Sequence, residues 1–321
     1  MELCLSRDAR NQTRKSEHNR TGILKTMPPL LQALRMRQWT KNMVVFAGLA
    51  FSGHATSRVD IHHTLLAFFS FCLASSAVYL FNDLQDRDRD SKHPIKKTRP
   101  IASGAVSTTT ALALSIGLAL GALLLLHFCL PSSISAVACY LVLQVLYSLW
   151  LKHVVLVDAF CIAAGFLLRV LAGVWAIDVP LSPWLVVCTV EIALFLALCK
   201  RKAEIVALGE SSSTRPLLSQ YATSGLDLMI GVVASSTVVT YALYTLLPST
   251  LLQLEVQMDS RAGQPGMIWT LPFVFYGILR YLHLVYQKDR GQNPNRLLFT
   301  DIPLLIALAG YAGVVAQVIY L

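Results

Sequence analysis

Three aspartates, Asp83, Asp86 and Asp90, recur at i, i+3 and i+7 in the string Asn82-Asp83-Leu84-Gln85-Asp86-Arg87-Asp88-Arg89-Asp90. At the 100° step of a helix they fall within about 60° of one another, whereas Asp88 points away from their face. Carboxylates gathered this way repel unless a cation sits among them. Hard oxygen donors of this kind suit Mg²⁺, which is commonly held by one or two carboxylates together with substrate phosphates. The plain alternative is a solvated loop in which alternating Asp and Arg residues pair.

The next stretch bears on that choice. Residues 91–104 read Ser-Lys-His-Pro-Ile-Lys-Lys-Thr-Arg-Pro-Ile-Ala-Ser-Gly and place Lys92, Lys96, Lys97 and Arg99 directly behind the acidic string. Arginine offers phosphate a planar fork and lysine a point charge. Carboxylates for a metal beside cations for phosphate oxygens make a diphosphate site. The same cations also serve to retain the loop on one side of a membrane, and the two roles are compatible.

The elements that position these residues are apolar. Of 321 residues, 55% are hydrophobic and only 14% charged, with a mean hydropathy of +0.57. A soluble domain carries roughly 25% charged residues, and a bilayer-spanning helix needs about 20 consecutive mostly apolar ones. Nine such segments follow Met27, at about 29–53, 61–82, 108–130, 132–150, 153–176, 182–199, 227–247, 267–287 and 302–321. The fold class is therefore all-α, a polytopic membrane protein of about nine transmembrane helices. Residues 27–321 read as a single catalytic domain behind a polar, disordered cytosolic tail, residues 1–26, in which no signal peptide is visible. The first segment begins amphipathically, with Arg35, Arg37 and Lys41 in the interface.

Charge orients the bundle. Of 27 basic residues, 23 fall in the N-terminal region through Lys41 and in the loops after segments two, four, six and eight. Only Arg58 and Arg261 fall on the other side, and Arg169 and Arg280 lie within segments. By the positive-inside rule the N-terminus is cytoplasmic and the C-terminus extracytoplasmic, as in a multi-pass plasma membrane protein. The net charge of +9 is not carried by a basic, aromatic-rich soluble module, so nucleic acid is not an expected partner. Six of the seven cysteines fall in or at the edge of apolar segments without metal-type pairs and read as small buried hydrophobes.

Other polar residues stand out by position. Asp158 and Arg169 share a face of segment five, and intramembrane charges face a cavity or a partner. Asp158, near the cytosolic end, is a candidate for the metal or sugar site, and Arg169 for an interhelical ion pair. Glu191 is a candidate partner for Arg169 or Arg280. Tyr147 and Lys152 close segment four; Lys200, Arg201 and Glu204 open the cytosolic stretch after segment six. His54, His62 and His63 lie on the outer side, away from the acidic string.

The string Asn82-Asp83-x-x-Asp86-x-x-x-Asp90 resembles the first aspartate-rich motif of the UbiA superfamily of intramembrane prenyltransferases. The likeness is nearer to its branch of decaprenyl-phosphate phosphoribosyltransferases. It extends through Arg37-Gln-Trp-x-Lys41-Asn42, His93-Pro-x-Lys96-x-x-Arg99-Pro-x-Ala-Ser-Gly104 and Tyr147-Ser-Leu-x-Leu-Lys152. Lys200-Arg201-x-x-Glu204 and the stretch from Arg280-Tyr281 to Asp301-x-Pro303 fit as well. The resemblance implies a UbiA-like helical bundle and a Mg²⁺-dependent transfer of 5-phosphoribose from phosphoribosyl diphosphate to a polyprenyl phosphate, for cell-envelope or related glycan synthesis. Asp83, Asp86 and Asp90 would hold the metal, with Asn82 assisting. Lys41, Lys96, Arg99, Tyr147, Lys152, Asp158, Lys200 and Arg201 would contact the substrates.

One departure is informative. Aromatic prenyltransferases of the superfamily carry a second aspartate-rich motif after segment six, where this chain has Lys200, Arg201, Lys202 and a single Glu204. A donor with a diphosphate and a separate 5-phosphate, and an acceptor with its own phosphate, suit one acidic and one basic set. The alternatives are transfer of a polyprenyl group onto an aromatic acceptor and a membrane transporter without chemistry.

Overall fold

Apolar segments in which no Pro or polar run intervenes form uninterrupted helices. The computed structural model describes residues 28–93, 96–208, 223–247, 266–287 and 300–321, and no strand occurs among them. The expected tail, 1–26, lies outside the described residues. Among the described residues, eight spans have the length and hydropathy to cross a membrane. Their helices are α3 (Arg58–Gln85), α5 (Thr108–Cys129), α6 (Ile134–Leu149), α7 (Val157–Ala176), α8 (Pro183–Leu208), α9 (Thr223–Leu246), α10 (Leu271–Tyr286) and α11 (Ile302–Tyr320).

The first apolar segment differs from expectation. It is broken into α1 (Pro29–Ala33), a 3₁₀ stretch over Met36–Phe46 and α2 (Ala47–Phe51). Arg35 marks the first break with φ 51°, a left-handed conformation uncommon for a residue with a side chain. The run Arg37-Gln-Trp-Thr-Lys-Asn42 supplies few apolar contacts on any one face. At about 2.0 Å per residue the 3₁₀ stretch covers about 22 Å, and α2 adds about 8 Å. None of these three pieces is long and apolar enough to count among the candidate membrane spans.

The Cα trace divides into two units, Met1–Thr40 with Cys72–Leu120 and Lys41–Phe71 with Gly121–Leu321. The first is cored by Ala33, Leu80, Ile101, Val106 and Ala111, which join α1, the last turns of α3, the loop before α5 and the start of α5. Ser107 caps α5, accepting from the Thr110 amide at 3.0 Å, as an N-cap serine does.

In the second unit the core centres on Phe195, Leu198, Leu226, Ile230, Tyr281 and Leu284. Gly173 lets α7 meet the 3₁₀ stretch: a Cβ there would stand 1.8 Å from the Val45 carbonyl oxygen. Arg169 reinforces the same junction. Its Nε donates to Asn42 Oδ1 at 2.8 Å, Nη1 to the Gly165 carbonyl at 2.7 Å and Nη2 to Tyr140 Oη at 3.0 Å. The rings of Tyr140, Phe71 and Phe166 surround the guanidinium, an arrangement that favours a cation.

Three sequence expectations are corrected by the fold. Arg169 is held by neutral acceptors and rings and forms no ion pair among the described residues. Glu191 faces neither arginine: it accepts from Ser236 at 2.5 Å and Thr240 at 3.1 Å, because its face of α8 packs on α9. Nor are all the cysteines buried. Cys72, Cys161 and Cys199 are, Cys188 is partly so, and Cys129 and Cys139 are exposed, on apolar surface that a bilayer would cover.

Candidate functional site

The acidic string occupies a helix end that almost continues. α3 stops at Gln85, and α4 (Arg87–Ser91) follows at once. Asp86 joins them, its amide bonded to the Asn82 carbonyl at 3.0 Å and its carbonyl accepting from the Asp90 amide at 2.8 Å. Helical phase therefore carries across the joint, and Asp83 and Asp90 remain on one side. Both are buried, with 4% and 3% exposure.

Two arginines enclose them. Arg35 Nη2 lies 2.5 and 2.8 Å from the two oxygens of Asp83, with its guanidinium 5.2 Å from the centre of the Tyr79 ring. Arg99 Nη1 lies 3.1 Å from Asp83 Oδ1 and 2.5 Å from Asp90 Oδ2, and Lys96 Nζ is 4.0 Å from Asp90 Oδ1. Local folding aims Arg99. Its carbonyl accepts from the Ser103 amide at 2.8 Å, and the Pro100 carbonyl from the Val106 amide at 3.0 Å. This turn, with Gly104 at φ 79°, buries Ile101 to 1% exposure and directs the preceding arginine back to the carboxylates.

Asp86 is placed differently. It sits 3.8 Å from Arg89 Nη1, and among the described residues no three His, Cys, Asp or Glu side chains gather closely enough to hold a metal ion. Two carboxylates converge, on a guanidinium. The donor set nevertheless fits a hard divalent cation: Asp83 and Asp90 already share one cationic group, and Asn82 Oδ1 is buried with no hydrogen-bond partner.

The remaining predicted residues belong to the second unit. Lys41 and Asn42 lie on the 3₁₀ stretch, Tyr147 on the last turns of α6 and Lys152 on the 3₁₀ turn Leu151–His153. Leu156, with φ 66°, turns the chain into α7 and puts Asp158 in its first turn, where a carboxylate meets the positive end of the helix dipole. α8 runs on to Leu208, so Lys200, Arg201, Lys202 and Glu204 stand on helix rather than in a loop.

Each of these cations meets a carboxylate. Arg201 Nε is 2.8 Å from Asp158 Oδ2, the two side chains being 1% and 0% exposed, and Arg201 also pairs with Glu204. Lys202 Nζ is 2.7 Å from Asp227 Oδ1, whose carboxylate accepts from Tyr286 at 2.6 Å. Lys200 is the exposed member, 38% accessible and a long 3.9 Å from Glu204. Arg280 grips Asp301 through two contacts of 3.1 and 2.9 Å, and Asp301 caps α11 through the Leu304 amide.

Sequence reasoning missed Arg35 as part of the site. Nothing in its local spacing signals a partner 48 residues away. A largely apolar cavity of about 300 Å³ also lies in the second unit, lined by Phe51, Trp184, Thr237, Tyr241 and Tyr311 among others.

Long apolar helices, with a buried aspartate pair at the end of one of them and a cation-bearing turn folded back onto it, define a polytopic membrane protein with a charged cluster at a helix end. The chain belongs to the UbiA prenyltransferase family, which matches residues 42–302. It is 32% identical to the decaprenyl-phosphate phosphoribosyltransferase of Mycolicibacterium smegmatis, over 91% of this chain and 92% of that protein. Its identity to the protein of that name from Corynebacterium glutamicum is 31%, over 95% and 94% of the two chains. A UbiA homologue from Archaeoglobus fulgidus, solved with GPP and Mg²⁺ bound, superposes with a TM-score of 0.65 at 18% identity. The match covers 91% of this chain and 100% of that one and establishes the shared fold.

Proposed function

We propose that this protein transfers the 5-phosphoribosyl group from phosphoribosyl diphosphate to a long polyprenyl phosphate, releasing diphosphate. The observation that carries the reading is the pair of buried aspartates, Asp83 and Asp90, bridged by Arg99 in a chain alignable over nearly its whole length with relatives named decaprenyl-phosphate phosphoribosyltransferase. Asp83 and Asp90, with Asn82 and Asp86 beside them, would hold Mg²⁺, which when bound stabilises the negative charge of a departing diphosphate.

The chain's own groups do the rest. Lys96 and Arg99 bind diphosphate oxygens, and charge-assisted contacts of this kind favour the leaving group more as its charge grows. Lys41, Lys152 and Lys200 are the cations for the remaining phosphates. Arg201, sealed against Asp158 and Glu204, positions α7 and α8 rather than touching substrate. The acceptor phosphate is anionic near neutral pH, so the site needs no strong general base. Attack opposite the leaving group inverts the anomeric carbon, which develops oxocarbenium character as in other glycosyl transfers.

The basic-residue distribution supports a cytoplasmic position for the acidic string, where a water-soluble donor is available. Incubating membranes that contain the protein with labelled phosphoribosyl diphosphate, polyprenyl phosphate and Mg²⁺ tests the reading. Label passing into the lipid fraction is the expected result; its absence overturns the assignment.

A further inference from the structure

The atoms a divalent cation would use are already taken. Arg99 Nη1 stands between Asp83 Oδ1 and Asp90 Oδ2, at 3.1 and 2.5 Å. Mg²⁺ binds oxygen at about 2.0–2.1 Å, so an ion bridging those two oxygens would displace that nitrogen. Arg99 Nη1 therefore competes with a metal ion for both oxygens.

The two arginines are not equivalent. Arg35 takes Asp83 from the other side, contacting both its oxygens. It is anchored by Tyr79 and by a left-handed backbone conformation at the α1 break. Arg99 lies on the outer turn, is 29% exposed in its side chain, and has no other side-chain acceptor among the described residues. A bare metal ion entering the site would expel the Arg99 guanidinium from buried carboxylates into solvent, with no anionic partner to replace them. A metal arriving with a diphosphate brings that acceptor with it, in the geometry that suits a guanidinium fork.

We propose that Arg99 is a displaceable stand-in cation that makes divalent-metal binding depend on diphosphate, while Arg35 stays on Asp83 as a positioning residue. The inference rests on the metal–diphosphate reading of the site. It needs neither the sugar nor the lipid. Because coupling between two ligands is reciprocal, diphosphate also binds poorly without metal. The resting site, its carboxylates already paired with Arg35, Arg99 and Lys96, binds either ligand weakly on its own.

The test counts Mn²⁺ bound to the full-length protein in lipid nanodiscs by equilibrium dialysis, at matched free Mn²⁺, with and without methylene diphosphonate. In the wild-type protein the diphosphonate should tighten Mn²⁺ binding about tenfold or more, as expected for removing a unit-charge competitor at short range. Arg99→Gln should bind Mn²⁺ about tenfold more tightly than wild type with no diphosphonate present, and gain less from it. Lys97→Gln removes one exposed positive charge that makes no contact with the carboxylates and should change Mn²⁺ affinity less than about twofold. Asp90→Asn should lose the tight site.

Equal wild-type affinity with and without diphosphonate overturns the proposal. So does an Arg99→Gln affinity no tighter than wild type, or a Lys97→Gln gain as large as that of Arg99→Gln. If Arg99→Gln does not fold, the wild-type comparison alone decides. A failed labelled-lipid assay with intact coupling would strike the sugar donor and not this inference.

Discussion

Arg35 holds both carboxylate oxygens of Asp83, at 2.5 and 2.8 Å, across 48 residues of chain. The contact ties the α1 break to the end of α3, so the acidic site is braced from a segment outside its own motif. Replacing Arg35 by Gln removes one of two partners of a carboxylate that is 4% exposed. With Arg99 still in place and Arg35 partly solvated, the expected loss is about 1–3 kcal/mol. It should read as a lower unfolding temperature in detergent than that of wild type.

Asp83→Asn and Asp90→Asn remove the charge that would hold the cation without changing side-chain volume. Each should reduce label transfer by a factor on the order of 100 in protein that inserts normally. Near-wild-type turnover in either variant would exclude its carboxylate from the reaction. Asp86→Asn is the informative companion, since that side chain faces Arg89; a loss as large as that of Asp83→Asn would mean that Asp86 swings in when substrate binds.

Stripping divalent ions with EDTA should abolish transfer, and Mg²⁺ should restore it. Activity that persists in EDTA would remove the metal from the scheme.

Asp158 and Arg201 should behave as a structural pair. Asp158→Asn leaves a guanidinium that is 1% exposed with Glu204 as its remaining carboxylate, at an expected cost of about 3 kcal/mol. Adding Arg201→Gln should recover part of that loss, because coupled neighbours are not additive. Lys200→Gln, at an exposed position, should lower transfer while leaving the unfolding temperature within about 1 °C of wild type. Thermal unfolding of the four proteins separates positioning from substrate contact.

Gly173→Ala tests the junction of α7 with the 3₁₀ stretch. Its Cβ would overlap the Val45 carbonyl oxygen, at 1.8 Å, so one backbone must move. Overpacking costs of about 3 kcal/mol or more should appear as poor accumulation in membranes or a sharply lowered unfolding temperature.

Local structure is legible in the chain's own residues. Among the described residues eight of nine apolar segments are helical, seven of them close to their expected limits and α8 running nine residues past its expected end to Leu208, because a run of apolar residues with its own backbone hydrogen bonds needs nothing else to be helical in a bilayer. The i, i+3, i+7 spacing put Asp83 and Asp90 on one side for the same reason, since helical phase is a property of the chain. What the tertiary structure decided is which cation each carboxylate meets. Arg99 went to Asp83 and Asp90, Arg201 to Asp158 and Glu204, and Arg169 to neutral acceptors instead of Glu191. The first segment is likewise broken where Arg35 turns towards Asp83. Counter-ions are chosen by proximity in space and by burial, and a buried charge takes whatever partner packing between helices brings within reach. Spacing along the chain carries no record of that choice.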